Sequence, residues 1–549
     1  MKRHMKNKIM VLGAMLLMLT TNACREESDM LVSYNQNDVL VFSKANDSFV
    51  GQFEVFWNGM NQNYAIWDYE EGQYGLDWDE VYDRFLPLFE QLDQRDKDTN
   101  PVSDSEYQAL IDSLAKPLHD GHFVVQFKNP HTGKALNCYP GKIRNASRDD
   151  YGASQDFVPS LAAYVSNGTA TDYQSGCTSQ HHLAIMFGNT YDVNKDIIIN
   201  PNYGLGYVVA QINELKAKQS PTSTQRMRLT QLQNLFAEWV QYKAIVKNRA
   251  ELITLYNYIV NKYQSLKVPG LILISSAFDE YGLGVQYALL NGDTPYFAFT
   301  NFFLTLYANP QYSIINQLTP GSDDYKQSVA IYNAWLSWLK KVQELKANGK
   351  LKGVIIDLRS NGGGMFYDFG LVLGSLFQPG TDLQVGYQRY KRGPGRYDYS
   401  PLMPDTRPGI DIVKFLPNEP SVQNIQQQGV TTEPIVVLTN CMSVSMAEMT
   451  AMGAKAMPNA RVIGKRTFGG LCGLVGNESA SYNYSGHIGI MGKTAVYCYT
   501  PTVATIQPDG KTILEGIGVT PDIEVNYVVT PAGTDSQIDR ALQYIQTGN

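Results

Sequence analysis

Ser445 is the residue whose neighbours best fit a catalytic nucleophile. It follows the strand-like run PIVVLTN and opens the helical pattern SMAEMTAMGAKAM, which stops at Pro458. Hydrolases place a serine nucleophile at such a strand-to-helix turn, because the helix N-terminus and the next backbone amide stabilise negative charge. Glu448 follows three residues later, so a capping box is the alternative explanation for this serine. A serine hydroxyl also needs a base, and residues 440–470 contain no histidine.

A second segment, GVIIDLRSNGGG, offers backbone hydrogen-bond donors. A buried strand pattern runs into Asn361 and the three glycines at positions 362–364. Glycines let the backbone turn sharply and expose N–H groups that suit an oxyanion or a phosphate. The phosphate interpretation lacks both the P-loop ending and the spaced dinucleotide fingerprint. A plain glycine-rich turn after a strand stays open as the alternative.

A base could come from the upstream segment SLAKPLHDGHFVVQF. There His119 and His122 bracket Asp120 and Gly121, between a helical pattern and a strand pattern. Their distance from Ser445 along the chain is no objection, since the members of a catalytic triad meet in space rather than in sequence. The alternative is that each histidine is a packed residue without a catalytic role.

The elements that must position these residues follow from hydrophobic periodicity. Apolar residues at helical spacing predict helices in 50–130, and HFVVQF predicts a strand after them. Strand–helix alternation after Asp279 predicts an α/β core from about 280 to 530. The predicted domains are a mainly helical domain at 25–130, an insertion region of loops, strands and a helical hairpin at 131–285, and the α/β core at 286–549.

The first 24 residues, MKRHMKNKIMVLGAMLLMLTTNAC, form a predicted signal peptide. A basic start precedes an apolar run that is too short to span a bilayer. The ending TTNAC resembles a bacterial lipobox, which makes Cys24 the predicted lipidated residue; plain secretion with a buried Cys24 is the alternative. The following REESD resembles the export signal of Bacteroidetes surface lipoproteins. We therefore expect the protein in the cell envelope, anchored to the outer membrane and facing the periplasm or the exterior.

Net charge and cysteine spacing give no support for two classes of function, nucleic-acid binding and zinc binding. The net charge of −7 gives no reason to expect nucleic acid as a partner. The cysteines follow no zinc-site spacing, and no motif in the sequence implies a metal or a cofactor. Removal of Cys24 leaves an odd number of cysteines, of which Cys138 and Cys177 are the pair we expect if a disulfide forms. Buried free thiols are the alternative.

Taken in order, these segments resemble the C-terminal-processing and tricorn-like superfamily of serine peptidases. The matching motifs are DLRSNGGG, SVSMAE, VIGKRTFGG and LEGIGVTPDIEV in the C-terminal half, and LHDGHFVV upstream. The core of the resemblance covers about 350–530, with a second match near 55–127. It implies a crotonase/ClpP-like α/β core of strand–strand–helix units and a serine nucleophile at Ser445.

The resemblance also implies the base. In the processing branch a lysine follows TFG, but here that position is Gly470. Lys455 and Lys465 lie elsewhere in the pattern. The tricorn-like branch takes a histidine from the N-terminal region, which corresponds to His122, and neutral imidazole suits a base near neutral pH.

The remaining site residues are also assigned by resemblance. Glu515 is the expected orienter of the histidine, with Asp120 as its competitor, because Gly121 replaces the serine that links the two groups in tricorn. The oxyanion donors are expected to be the amide of Met446 and one glycine amide, Gly363 before Gly364.

The sequence thus predicts a secreted serine peptidase that acts on peptides or unfolded proteins. One alternative is an inactive surface lipoprotein of the same fold that binds a peptide, a glycan or a small apolar ligand. Another is an acyl hydrolase of a different kind that uses the same oxyanion hole.

Overall fold

A computed structural model describes most of the chain. The described residues are 45, 47–151, 161, 163–164, 173–177, 204–243, 255, 258–259, 262–266, 268, 283–311, 313–318, 320–474, 486–530 and 534–549. The signal peptide and Cys24 lie outside them. No helix within these ranges is long and apolar enough to cross a membrane.

Helices and strands alternate over much of the described chain. The helices are α1 (Phe49–Asn63), α2 (Trp67–Tyr74), α3 (Trp78–Asp93), α4 (Asp104–Ala115), α5 (Pro140–Asn145), α6 (Gly204–Ala217), α7 (Ser223–Lys243), α8 (Thr305–Ala308), α9 (Asp323–Ala347), α10 (Asp368–Leu371), α11 (Ile412–Phe415), α12 (Met446–Lys455) and α13 (Ser536–Thr547). Three short 3₁₀ helices span Gln264–Leu266, Ile314–Gln317 and Gly374–Leu376.

The strands form three sheets. They are β1 (Val124–Lys128), β2 (Ala135–Cys138), β3 (Tyr173–Cys177), β4 (Gly284–Leu290), β5 (Thr294–Phe299), β6 (Val354–Asp357), β7 (Asp382–Tyr390), β8 (Met403–Pro408), β9 (Ile435–Thr439), β10 (Ala460–Gly464), β11 (His487–Ile488), β12 (Val496–Tyr499), β13 (Val503–Ile506) and β14 (Ile523–Glu524). The sheet orders are β11-β12-β1-β2, β14-β10-β9-β6-β5-β4-β3 and β13-β7-β8.

The chain divides into two compact units that are each discontinuous in sequence. The first unit comprises 1–140, 389–401 and 473–504, and the second comprises 141–388, 402–472 and 505–549. The predicted domain boundaries at 130 and 285 follow composition along the chain. Composition cannot show that segments far apart in sequence return to the same unit.

In the first unit, helices α1 to α4 share an aromatic core with the four-stranded sheet. Serine and aspartate caps start three of these helices: Ser48, Asp77 and Ser103 each accept a hydrogen bond from a first-turn amide. Phe53 stacks on Phe89 with ring centroids 4.8 Å apart, and both are fully buried. The amphipathic pattern of the N-terminal region therefore folds as the periodicity predicts.

In the second unit, helices cover both faces of the seven-stranded sheet. Strands β5, β6, β9, β10 and β14 run parallel, and their residues are buried on both faces at the centre. Apolar side chains of α9 and α12 pack on one face, where Trp335 and Trp338 are buried. Helix α13 packs on the other face through Ile538 and Ile545.

The DLR motif joins this sheet to α13. Arg359 is buried and donates to Asp357 at 2.9 Å and to Asp535 at 2.7 Å. Asp535 is the N-cap of α13 and accepts from the amides of Gln537 and Ile538. A buried guanidinium with two carboxylate partners holds the helix at the end of β6, next to the glycine turn.

The prediction of a mixed α/β fold is confirmed. The finer expectation of a crotonase/ClpP-like core stays a prediction. Two strands predicted for the core, HIGIMG and KTAVYCYT, lie instead in the first unit as β11 and β12, paired with each other and through β12 with β1. Helix α6 was missed, because a Gly- and Asn-rich segment precedes it.

No disulfide links Cys138 to Cys177, so the alternative of a buried free thiol holds for Cys138. Cys138 is a buried free thiol, as are Cys441, Cys472 and Cys498. Burial also raises the pKa of the Cys138 thiol, which keeps it protonated and unreactive.

Candidate active site

Ser445 occupies a strained turn between β9 and α12. Its backbone has φ +58° and ψ −116°, and it is the N-cap residue of α12. Ordinary serine caps in this protein, Ser48 and Ser322, have extended backbones. Left-handed φ in a residue other than glycine costs about 1–3 kcal/mol and is concentrated at functional sites. A cap alone does not need this conformation, so the backbone favours the nucleophile interpretation over the capping alternative.

Two asparagines fix the chain around this turn. Asn440 Oδ1 accepts from the amides of Ser360 at 2.8 Å and Met442 at 3.0 Å. Asn361 accepts the amide of Val444 on its backbone carbonyl at 2.9 Å and donates its side chain to Phe299 O at 2.7 Å. The segment before Ser445 is thereby held against the ends of β6 and β5.

The glycine turn lies directly against Ser445. A β-carbon placed on Gly363 would lie 2.5 Å from Ser445 Cβ and 3.0 Å from the Met446 nitrogen. Gly363 has φ +82° and Gly364 has φ +138°. The turn is clamped on its other side, where Phe302 donates to Gly363 O at 2.7 Å. Only glycine permits this approach, so the turn and the serine form one local structure.

The two glycine amides are not equivalent. The Gly363 amide donates to Asn361 Oδ1 at 2.9 Å, so it is already engaged. Among the described residues, the amides of Gly364 and Met446 donate no hydrogen bond. The hydrogen bond to Asn361 favours Gly364 over Gly363 as an oxyanion donor, the reverse of the expected order, and the donor roles themselves stay predictions. Gly364 is also exposed, which an amide that receives a substrate oxygen requires.

Glu448 is more than the distal half of a capping box. Its carboxylate is fully buried and accepts from the Ser445 amide at 3.1 Å. It also accepts from Thr467 Oγ1 at 2.5 Å and from the amides of Gly469 and Gly470, each at 2.7 Å. Burial raises the pKa of the Glu448 carboxyl to about 7, against these hydrogen bonds. One side chain thus ties the serine turn to the TFGG loop.

Glu515 continues the same pattern. Its Oε2 accepts from the amides of Leu471 at 2.7 Å and Cys472 at 2.6 Å, and the residue is fully buried. Together, Glu448 and Glu515 bind four consecutive amides from Gly469 to Cys472. The structure therefore gives Glu515 a definite role in holding this loop, and its orienting role stays a prediction.

Both candidate histidines belong to the first unit. His119 donates its backbone amide to Glu70 Oε1, and its Nδ1 lies 2.7 Å from Glu70 Oε2. Its ring also stacks on Tyr74. His122 lies two residues before β1, and its amide donates to Asp120 Oδ1 at 2.7 Å. His119 is thus committed to a buried glutamate.

Two lysines of the second unit are the alternatives to a histidine base. Lys455 pairs with Asp522 at 2.5 Å, and Lys465 pairs with Glu524 at 2.6 Å. Its histidines in sequence, His181 and His182, lie outside the described residues. Within the described part of this unit, the lysine alternatives are therefore engaged in ion pairs.

Sequence reasoning assigned no role to Asn361 or Asn440, and it interpreted Glu448 only as a cap. A signal existed for the two asparagines. Asn361 precedes a glycine run and Asn440 ends a strand, and asparagine side chains at such positions commonly bond to backbone amides two residues on. No comparable signal marks Glu448, because its contacts come from a loop about 20 residues away.

Comparison with known proteins finds a family match in the C-terminal half of the chain. Residues 329–525 match the model of peptidase family S41. Among curated proteins, none matches the sequence. Similar solved structures include three with the following identities and coverages. A Parabacteroides merdae protein described as a candidate peptidase has 15% identity, covers 92% of this chain and 98% of its own, and gives a TM-score of 0.43.

The second is mature CPAF complexed with lactacystin, with 11% identity, 92% and 98% coverage and a TM-score of 0.40. The third is the photosystem II D1 C-terminal processing protease, with 17% identity, 44% coverage of each chain and a TM-score of 0.25. The predicted superfamily is confirmed by this family match: residues 329–525, which carry Ser445, the glycine turn and the TFGG loop, match the model of peptidase family S41.

Proposed function

We propose that this protein is a secreted serine peptidase in which Ser445 attacks the peptide carbonyl. The observation that carries the proposal is the backbone of Ser445, held at φ +58° in contact with the glycine turn at the start of α12. The peptidase S41 match over the same residues supports a peptidase function.

The donors around Ser445 suit acyl transfer. When the hydroxyl oxygen adds to the carbonyl carbon, negative charge develops on the carbonyl oxygen. The Met446 amide, at the N-terminus of α12, and the Gly364 amide are the groups we assign to that oxyanion. Preorganised backbone donors of this kind act without reorganisation and contribute a large part of the rate enhancement.

We assign the base to His122. Its imidazole takes the Ser445 proton during attack and returns a proton to the leaving amine, which leaves an acyl-enzyme. A water molecule, deprotonated by the same imidazole, then releases the acid product and restores the serine. His122 belongs to the first unit, so the proposal requires that it reach Ser445 of the second.

The ion pairs of the rival lysines support a histidine base. Each of these lysines is paired with a carboxylate, so neither side chain could approach Ser445 as a base without breaking that pair. We retain Glu515 as the proposed orienter of His122, with Asp120 as the competitor. No metal or cofactor enters this mechanism.

We also propose that the protein is exported and anchored to the outer membrane through a lipid on Cys24, with peptides or unfolded proteins as substrates. The support is the sequence of residues 1–24. An anchor outside the cytoplasm would bring the enzyme to polypeptides in the periplasm or at the cell surface.

A fluorophosphonate probe tests the proposed nucleophile. We expect the wild type to be labelled at Ser445, identified by mass spectrometry of the digested protein, and to hydrolyse unfolded casein. Ser445→Ala should lose both activities while its melting temperature changes little, because a lost cap costs only ~1 kcal/mol. Ser421→Ala, an exposed serine of the same unit, is the matched control. A folded wild type that is neither labelled nor active would instead be the non-catalytic binding lipoprotein.

A further inference from the structure

Two exposed aromatic side chains follow the glycine turn. Phe366 is 45% exposed and Tyr367 is 74% exposed, and their rings make an edge-to-face pair with centroids 6.1 Å apart. Large aromatic side chains usually bury most of their surface. Two adjacent exposed rings beside a candidate oxyanion donor therefore call for an explanation.

The Phe366 ring packs against a buried arginine. The Arg407 guanidinium on β8 lies 3.7 Å from the centre of that ring. Arg407 is itself 1% exposed, donates to Asp405 at 2.7 Å and approaches Met449 Sδ at 3.8 Å. Asp405 balances the positive charge, and burial keeps it from solvent. The outer face presented at this point is thus aromatic rather than cationic.

This aromatic pair lies within reach of the scissile bond. Phe366 is three residues from Gly363, a span of at most about 11 Å. Met449, whose Sδ lies 3.8 Å from Arg407, is in the first turn of α12, four residues after Ser445. An extended peptide advances about 3.3 Å per residue. A substrate side chain within about three residues of the cleaved bond can therefore contact the Phe366 ring.

We propose that Phe366 and Tyr367 form an apolar recognition wall that selects peptides with a large apolar or aromatic side chain close to the cleavage site. This inference rests on the proposed peptidase function and names its substrate class. A preformed ring on a fixed support loses little conformational entropy on binding, so it gains more from contact than a mobile side chain would. Acidic and small side chains gain nothing from this surface.

Peptide binding to Ser445→Ala tests the wall separately from catalysis. The probes are fluorescent octapeptides of alanine, glycine and serine that carry phenylalanine, glutamate or alanine at one central position. We expect the phenylalanine peptide to bind roughly 10-fold more tightly than the alanine peptide. Ser445→Ala/Phe366→Ala should lose this preference, whereas Ser445→Ala/Phe366→Leu should keep part of it. Ser445→Ala/Tyr242→Ala is the control, because Tyr242 is a comparably exposed aromatic of the same unit on α7.

The inference is overturned if the phenylalanine peptide binds no better than the alanine peptide. It is also overturned if the preference survives in Phe366→Ala with Tyr367→Ala added. If the preference for the phenylalanine peptide disappears in Phe366→Ala but the wild type hydrolyses no peptide, the recognition wall is upheld and the proposed peptidase function is rejected. In an active wild type, Phe366→Ala should lower kcat/KM about 10-fold for the phenylalanine peptide and less than ~2-fold for the alanine peptide.

Discussion

Gly363→Ala is the substitution that most directly tests the contact between the glycine turn and Ser445. The new β-carbon would lie 2.5 Å from Ser445 Cβ, 2.7 Å from Val444 O and 3.0 Å from the Met446 nitrogen. Ordinary contacts begin near 3.4 Å, so the turn and the serine must separate by about 0.9 Å, which is 3.4 Å minus 2.5 Å. The residue must also keep φ +82°.

These numbers give a magnitude for each effect. A side chain at left-handed φ costs about 1–2 kcal/mol, and forcing an atom into packed surroundings costs about 1–3 kcal/mol more. We therefore expect the free energy of unfolding to fall by roughly 2–5 kcal/mol. Because a displacement near 1 Å at a catalytic group lowers rates about 10²-fold, Ser445 labelling should slow by at least that factor in the folded variant.

The assay combines thermal melting with the rate of fluorophosphonate labelling below the melting transition. Gly349→Ala is the matched control, since Gly349 also has positive φ, +62°, but its added β-carbon meets nothing within 4 Å. It should lose about 1–2 kcal/mol of stability and label at the wild-type rate. If Gly363→Ala labels as fast as Gly349→Ala, the glycine turn does not shape the environment of Ser445.

Three further predictions follow from the carboxylates and the N-terminus. The pKa of Glu448 is raised from 4.5 to about 7, so protonated Glu448 stabilises the folded state fully below pH ~4.5, and this stabilisation is lost as the pH rises through 7. The stability of the wild type relative to Glu448→Gln, measured by melting, should therefore fall by roughly 3 kcal/mol between these pH values. A stability difference that stays constant with pH contradicts this prediction. Glu515→Gln should melt near the wild-type temperature, because one oxygen, Oε2, accepts both amides and the glutamine oxygen can replace it. Its kcat should fall, but by less than the kcat of His122→Ala. An active Glu515→Gln beside an inactive Asp120→Asn would assign the orienting role to Asp120. Cys24→Ala should abolish incorporation of labelled palmitate in cells, and undiminished incorporation rejects the predicted anchor.

Local patterns were enough to predict much of this fold. Periodicity located α3, α4, α9, β6 and β9, and the cap serine at 103 marks where α4 begins. These elements depend on residues that are neighbours in sequence. The strand-to-helix turn at Ser445 was visible for the same reason.

Long-range pairing could not be predicted in this way. The strand β12 pairs with β1, which lies hundreds of residues earlier, although its own sequence reads like any core strand. Glu448 was recognised as a helix-start residue, but its bonds to the TFGG loop depend on how β10 follows α12. The engagement of the Gly363 amide by Asn361 is different, because an asparagine side chain commonly bonds to the amide two residues on, and the sequence could have indicated it.

The central claim is that His122 is the base for Ser445, and the pH dependence of kcat/KM for peptide hydrolysis tests it most directly. The wild-type profile should rise with an apparent pKa of about 6–7.5, and His122→Ala should fall as far as Ser445→Ala. His119→Ala should melt lower, because it leaves the buried Glu70 short of a partner, but keep its rate when folded. A His122→Ala variant with wild-type kcat/KM, or a profile that climbs toward pH 10 and vanishes in Lys465→Ala, would contradict the histidine base.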